Sequence, residues 1–134
     1  WTRTIECTRP VFALKLFLNL AARGEQGLGA LVAQLYARTR RFHELLSGRP
    51  GFQCLAEPES NILCFRFGGE AEDQAALRRR VLAGGAAYLT QASVHGRTWL
   101  RITVMNPASE EADQLALAAQ IETASRENAR HAQG

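Results

Sequence analysis

Strand-forming side chains predominate in two stretches of the chain, residues 87–92 and 98–105. Both stretches are rich in β-branched, aromatic and other apolar residues, which favour β-strands. The connection between them is short and polar, and it contains His95 and Gly96. The pattern therefore predicts a β-hairpin.

The second strand of this hairpin is predicted to have one apolar face and one mixed face, because side chains alternate along a strand. The apolar face should lie on the core and consists of Leu100, Ile102 and Val104. The mixed face consists of Trp99, Arg101 and Thr103. A solvated Arg101 stacked on Trp99 is the interpretation that the pattern alone favours. The alternative is a guanidinium that binds a carboxylate in a cleft, since its planar fork of donors matches carboxylate geometry.

Residues 11–22 predict a helix that is apolar around almost its whole circumference, since only Lys15 and Asn19 interrupt it. Pro10 is acceptable in the first turn, and Gly24 lies just past the end. A helix that is apolar all round must be buried all round. One small sheet cannot bury it, so we expect another part of the same polypeptide or a second subunit to cover it.

A second, amphipathic helix is predicted for residues 28–47, and Gly27 and Gly29 are expected to separate it from the first. The arginines of this segment belong to its outer side. Its apolar side consists of Leu28, Leu31, Leu35, Phe42, Leu45 and Leu46.

Strands are predicted for residues 52–56 and 61–67, and the second is almost continuously apolar, which is typical of a strand covered on both faces. A charged helix over residues 70–82 leads into the hairpin. Asn106 or Ser109 would cap the last helix. The packing stripe of that helix consists of Leu115, Ala118, Ala119 and Ile121. This order predicts an α+β fold, with a three- or four-stranded, mainly antiparallel sheet and helices packed on one face.

The composition of the chain argues against nucleic-acid binding and against a membrane-spanning segment. The 134 residues suffice for one core, and the net charge of +3 is small. Two arginine clusters, at residues 38–41 and 78–80, are explained as solvated helix faces, so nucleic-acid binding is not expected. The longest apolar run is too short to cross a bilayer, and no signal peptide opens the sequence. The chain starts at Trp1 rather than Met, which suggests a piece cut from a longer polypeptide.

Three cysteines, Cys7, Cys54 and Cys64, have no metal-ligand spacing. Cys54 and Cys64 could face each other across a hairpin, but unpaired thiols are expected. Free thiols indicate the cytoplasm. The chain contains one lysine, Lys15, so lysine chemistry is excluded elsewhere. A composition rich in Arg and Ala and poor in Lys suggests a GC-rich bacterial genome.

Several motifs, in the same order along the chain, resemble the C-terminal part of the group II pyridoxal-phosphate-dependent amino-acid decarboxylases, which include glutamate, aromatic-amino-acid and diaminobutyrate decarboxylases. The similarity extends over nearly the whole chain. The motifs are Thr4-Ile5-Glu6-Cys7-Thr8-Arg9-Pro10, Ala13-Leu14-Lys15-Leu16-Phe17 with Gly24, Asn61-Ile62-Leu63-Cys64-Phe65-Arg66, Leu100-Arg101-Ile102 and Asn106-Pro107.

This resemblance implies the small C-terminal domain of a fold-type-I enzyme. Residues 1–25 would be the bridging segment and helix from a missing N-terminal large domain, and residues 26–134 the small α+β domain. The family members release CO2 from an L-amino acid, giving an amine, and their cofactor is pyridoxal 5'-phosphate, bound mainly by the large domain. A homodimer is implied.

The resemblance assigns no catalytic or cofactor-binding residue to this chain. In the family, a lysine of a His-Lys dipeptide in the large domain holds the cofactor as a Schiff base. Lys15 lies at the Leu-Lys-Leu position of the bridging helix, and His95 is followed by glycine. Arg101 matches the Leu-Arg position, which in glutamate decarboxylases lies near the substrate carboxylate. The resemblance therefore implies a substrate-binding role for Arg101.

A different class of protein is compatible with the same patterns. A non-catalytic α+β binding or interaction module could use the sheet face around Trp99 and Arg101. A His-Lys dipeptide in an upstream α/β domain would favour the decarboxylase, whereas a natural start near Trp1 would favour the module.

Overall fold

The computed structural model describes residues 12–85 and 87–131, with side chains for 13–85 and 87–127. The chain divides into two compact units, Trp1–Ala33 and Gln34–Gly134. Its elements are α1 (Phe12–Ser47), β1 (Phe52–Cys54), β2 (Ile62–Phe67), α2 (Gln74–Ala83), β3 (Thr90–Val94), β4 (Arg97–Thr103) and α3 (Glu111–His131).

The first unit contains the N-terminal part of α1. The backbone leaves helical geometry at Gly24, where φ is 69° and ψ is 171°, so the apolar helix ends where its pattern ends. The next helical segment begins directly afterwards, and the predicted separation at Gly27 and Gly29 is wrong. Both glycines lie inside the helix, because a glycine costs a helix only about 1 kcal/mol relative to alanine.

The apolar helix before Gly24 exposes its large side chains. Leu14, Leu16, Phe17 and Leu18 are between 50 and 64% exposed. A contiguous apolar surface of this kind marks a contact site. This exposure agrees with the expectation that another protein surface covers the helix, although residues 1–11 of the proposed bridging segment lie outside the described residues.

The second unit contains a four-stranded antiparallel sheet with the strand order β1-β2-β4-β3. The predicted sheet is confirmed. Its predicted hairpin joins β3 and β4 through a two-residue turn at His95 and Gly96, whose φ angles are 51° and 72°. Positive φ at both positions matches the twist of the flanking strands, which makes this turn type a strong hairpin former.

The helices pack on one face of the sheet, as predicted. Leu63, Phe65 and Leu100 from the central strands are at most 1% exposed. Burial of each such side chain contributes about 1.5–3 kcal/mol. The core also contains Phe42 and Leu46 of α1, Leu77 and Val81 of α2, Leu89, and Leu117, Ala118, Ile121 and Ala124 of α3.

Two helix starts differ from prediction. The helix α2 begins at Gln74 rather than at residue 70, because the Asp73 side chain accepts a hydrogen bond from the Ala75 amide and caps it. Neither Asn106 nor Ser109 directly precedes α3. The Asn106 side chain instead accepts from the Ala108 amide 2.9 Å away, which stabilises a turn before the helix.

The predicted packing stripe of α3 is only half right. Ala118 and Ile121 are buried, but Leu115 is 39% exposed and Ala119 is also exposed. The buried side also includes Leu117 and Ala124. A phase error of this kind arises because the alanine-rich sequence offers apolar residues on several sides of the helix.

The two described cysteines are free, as expected. Cys54 lies opposite Phe65, and Cys64 lies opposite Arg101. They therefore occupy opposite faces of the sheet, because side chains alternate along β2.

Candidate functional site

The strand register places two arginines and a tryptophan on the sheet face that points away from the core. Cys64 pairs with Arg101 across β2 and β4, while the neighbouring pair, Phe65 and Leu100, belongs to the core. The predicted division of β4 into an apolar and a mixed face is confirmed. The mixed face of β4 and the neighbouring side chains of β2 form one surface, which we call the arginine face. It consists of Cys64, Arg66, Trp99, Arg101 and Thr103.

Arg101 occupies the middle of this surface because β4 lies between β2 and β3. Its Nη2 atom is 3.5 Å from the Thr103 hydroxyl. On the β3 side, the Thr90 hydroxyl donates to the Arg101 carbonyl oxygen over 3.0 Å. The stem of the guanidinium is buried, and its Nε atom has no hydrogen-bond partner among the described residues.

Arg101 also has no ion-pair partner in the part of the chain that the structure describes. A half-buried cation without a counter-charge is costly, because desolvation is not compensated by Coulomb attraction. A ligand carboxylate would supply both the charge and acceptors for the planar fork. The geometry of Arg101 therefore suits anion binding.

Trp99 stacks with an arginine other than the one considered from the sequence. The guanidinium carbon of Arg66, on the neighbouring strand β2, lies 5.9 Å from the centre of the indole ring. Both residues are nearly buried, at 8% exposure for Arg66 and 5% for Trp99. Arg66 was not predicted as a site residue, although like Arg101 it interrupts an apolar strand, because its contact with Trp99 depends on the register between β2 and β4.

One carboxylate bridges two arginines at the edge of the arginine face. Glu70 lies 3.5 Å from Nη1 of Arg66 and 3.1 Å from Nη1 of Arg97. The Glu70 side chain is 70% exposed, so these ion pairs are screened by solvent. Glu70 pairs with Arg66 and Arg97 but not with Arg101, so within the described residues Arg101 carries the positive charge on this face that is available to attract an anion.

Three buried N–H groups of this region have no hydrogen-bond partner within the described residues: Arg66 Nε, Trp99 Nε1 and Arg101 Nε. Buried donors are normally satisfied, so unpaired ones need an explanation. These donors on the arginine face are available to acceptors outside the described residues, water included.

Cys64 faces Arg101 but does not have the properties of a nucleophile. Burial raises the pKa of the Cys64 thiol, and the positive charge of Arg101 only opposes that shift. The thiol form is therefore favoured, whereas nucleophilic chemistry needs the thiolate. Among the described residues, no group of three or more His, Cys, Asp or Glu side chains could hold a metal ion.

The two arginine clusters noted in the sequence have structural contacts. Arg41 pairs with Glu111, at 2.9 Å. Arg78 donates to the Leu89 carbonyl oxygen over 2.7 Å, and Arg80 donates to that of Ala124 over 2.9 Å. Arg40 and Arg41 are exposed, as expected for a solvated helix face. Arg78 and Arg80 are half-buried by these contacts, so the interpretation as a solvated face is wrong for the second cluster. No helix among the described residues has the length and hydropathy needed to cross a membrane.

A cleft of about 430 Å³ lies between the end of β4 and α3, on the core side of the sheet. Ile102, Met105 and Leu117 contribute to its largely apolar lining. None of its lining residues is an arginine or lysine, so it offers no counter-charge for a carboxylate. The arginine face is therefore the better candidate for binding an anion.

Comparison with known proteins gives a family match, to aminotransferase class I and II, over residues 13–118. Mouse cysteine sulfinic acid decarboxylase is 40% identical over 65 residues, which cover 48% of this chain and 13% of that protein. The L-2,4-diaminobutyrate decarboxylase of Rhizobium meliloti (strain 1021) is 28% identical over 113 residues, covering 80% of this chain and 23% of that protein. The chain thus spans less than a quarter of either relative.

Solved structures show the same fold. One is the glutamate decarboxylase domain of diaminobutyrate-pyruvate transaminase and L-2,4-diaminobutyrate decarboxylase from Vibrio parahaemolyticus, with a TM-score of 0.77 and 31% identity over 86% of this chain and 26% of that one. Mouse CSAD has a TM-score of 0.75 and 29% identity over 91% of this chain and 29% of that one.

Proposed function

This chain belongs to the aminotransferase class I and II family, and from that premise we propose that it is the C-terminal part of a pyridoxal-phosphate-dependent amino-acid decarboxylase. The observation that carries the proposal is the similarity to the Vibrio parahaemolyticus decarboxylase domain, which extends over 86% of this chain. The curated relatives described above are decarboxylases as well.

We propose the same domain division that the resemblance implies. Residues 1–25 would bridge from a large domain, and residues 26–134 would form the small domain. The exposed apolar side chains of the helix before Gly24 support a large contact surface at this place. Homodimerisation, a cytoplasmic location and a bacterial source belong to the same proposal. The free thiols of Cys54 and Cys64 support the location, and the arginine-rich composition supports the source. A second subunit is one of the surfaces that could cover the exposed apolar helix.

The residues of this chain do not by themselves fit the cofactor. Its one lysine, Lys15, follows Leu14 rather than a histidine, so the chain lacks the His-Lys dipeptide that the resemblance associates with the cofactor. The proposed pyridoxal phosphate would be bound mainly by the large domain, and as an electron sink it would supply the chemistry of CO2 release.

Arg101 would bind and orient a carboxylate of the amino-acid substrate. Its guanidinium presents parallel N–H donors, which fit the two oxygens of a carboxylate. Trp99 and Thr103 flank it on the same face of β4. Because part of the side chain is buried, the contact would form in a partly desolvated place, where a charge-assisted hydrogen bond is stronger than in water.

The test uses the full-length polypeptide that contains this chain. We expect the purified protein, supplied with pyridoxal phosphate, to release CO2 from at least one member of a panel of acidic, aromatic and diamino acids. A full-length protein without a His-Lys dipeptide and without CO2 release would refute the proposal. That result would favour a non-catalytic module that uses the Trp99 and Arg101 face.

A further inference from the structure

We propose that Arg66 is a positioning residue for the carboxylate-binding arginine. It fixes the indole ring of Trp99, and the indole ring in turn restricts the orientations open to Arg101. This inference rests on the proposed function, because it assigns a role to Arg66 through the substrate contact of Arg101.

The burial of Arg66 is the first reason for this assignment. Arginine is rarely this buried without a strong partner, because its charge must be desolvated. Its ion-pair partner is Glu70, at 3.5 Å, but that carboxylate is 70% exposed and therefore gives little compensation. Apart from that ion pair, the Arg66 guanidinium contacts the indole ring of Trp99, with its central carbon 5.9 Å from the ring centre. A planar cation suits such a stack better than an ammonium does.

The second reason is the placement of Trp99 relative to Arg101. The two residues are two positions apart on β4 and share a face, so their Cβ atoms are roughly 7 Å apart, at about 3.3 Å per residue. An indole ring spans that distance. Thr103 lies on the other side, with its hydroxyl 3.5 Å from Arg101 Nη2. Arg101 therefore stands between a large ring and a short hydroxyl side chain.

The third reason is that hydrogen bonds within the described residues do little to hold Arg101. Its Nε atom has no partner, and the contact with Thr103 is long. Orientation must then come from the shape of the neighbouring side chains. A Trp99 ring that is free to turn would open further rotamers to Arg101, whereas a ring held by Arg66 would not.

The chain offers a matched control for the charge of Arg66. Arg97 binds the same Glu70 carboxylate, at 3.1 Å, but it is exposed and lies in the hairpin. Removing Arg97 deletes one positive charge and one ion pair of this network without deleting the stacking partner of Trp99.

The experiment is steady-state kinetics of the full-length enzyme. Arg66→Gln, Arg66→Lys and Arg97→Gln are measured as single variants, and Arg66→Gln is also measured in the Arg101→Ala background. We expect Arg66→Gln to lower kcat/KM about 10-fold, mainly through a higher KM, and Arg66→Lys to recover less than half of that loss on a logarithmic scale. Arg97→Gln should change kcat/KM less than about twofold. In the Arg101→Ala background, Arg66→Gln should have an effect of less than about twofold, because the residue through which it acts is gone.

Three outcomes would overturn the inference. The first is full recovery by Arg66→Lys, because charge alone would then suffice. The second is an equal loss of activity with and without Arg101, because the two residues would then act independently. The third is a kcat/KM within twofold of wild type for Arg66→Gln. If Arg66→Gln does not fold, Arg66→Lys alone and with Arg101→Ala provides the same comparison. Absence of CO2 release by the wild type would refute the proposed function itself, which distinguishes that failure from the others.

Discussion

Arg101→Ala in the full-length enzyme should impair catalysis far more than folding. Each charge-assisted hydrogen bond contributes about 1.5–3 kcal/mol, and the fork of Arg101 can form two to a carboxylate. Part of this energy is lost to solvent because the side chain is only half-buried. We therefore expect a loss of roughly 2–4 kcal/mol in transition-state terms. This corresponds to a decrease of kcat/KM by a factor of about 30 to 1000.

The expected effect on stability is small for a reason visible in the structure. Within the described residues, the Arg101 side chain makes no ion pair and one long contact, to Thr103 at 3.5 Å. The substitution also removes one of two like charges, Arg66 and Arg101, from the same face of the sheet. The free energy of unfolding should therefore change by less than about 1 kcal/mol.

Steady-state kinetics and a thermal melt of the same preparations test both expectations. Arg101→Lys should recover activity only in part, because an ammonium keeps the charge but loses the fork. Arg79→Ala is the matched control, since Arg79 is an exposed arginine of α2 away from the arginine face. Near-normal kinetics with a markedly lower Tm would refute the reasoning, because Arg101 would then be a structural residue.

Three further predictions concern the rest of the chain. The isolated 134-residue chain should release no CO2 and show no cofactor absorbance with added pyridoxal phosphate; absorbance that depends on Lys15 would contradict the domain assignment. The same chain should self-associate or bind a hydrophobic dye, because Leu16, Phe17 and Leu18 are more than half exposed, and a strictly monomeric chain without dye binding would count against a missing partner surface. Stability should decrease in acid because the hydrogen bond from Arg49 lowers the pKa of Glu122 in the folded protein. Such a carboxylate stabilises the folded state fully above its ordinary pKa of 4.5. This contribution is lost as the pH falls through the lower pKa of the folded state. Thermal melts of wild type and Glu122→Gln between pH 7 and pH 3 should show a smaller acid-induced loss in the variant, and equal losses would exclude this pair as a source.

Local patterns predicted most of the fold, because alternation and turn chemistry act over a few residues. The hairpin at His95 and Gly96 and the two faces of β4 follow from such patterns. The phase of α3 did not, since an alanine-rich helix offers more than one apolar side and only packing against the sheet selects Leu117 over Leu115. Helix starts were also misplaced where a local side chain, such as Asp73, provides a better cap.

The candidate site could be predicted only in part. Arg101 was recognisable because a charge interrupts an apolar strand and because its motif resembles that of a known family. The stack of Arg66 on Trp99 was not recognisable, because it depends on the register between β2 and β4. Register joins residues that are far apart in sequence, and no local pattern specifies which arginine meets which ring.

The strand order has a consequence for how the protein is made on the ribosome. The last strand synthesised, β4, inserts between β2 and β3 rather than adding at an edge. Until residues 97–103 have emerged, β2 lacks one of its two neighbours, and the core residues Leu63 and Phe65 lack the strand that pairs beside them. The sheet and the arginine face are therefore completed in the same late step, so a chain that ends before β4 would have neither. Truncations that end before β4 should be recognised by chaperones and proteases as unfolded rather than accumulate as stable products without a binding site.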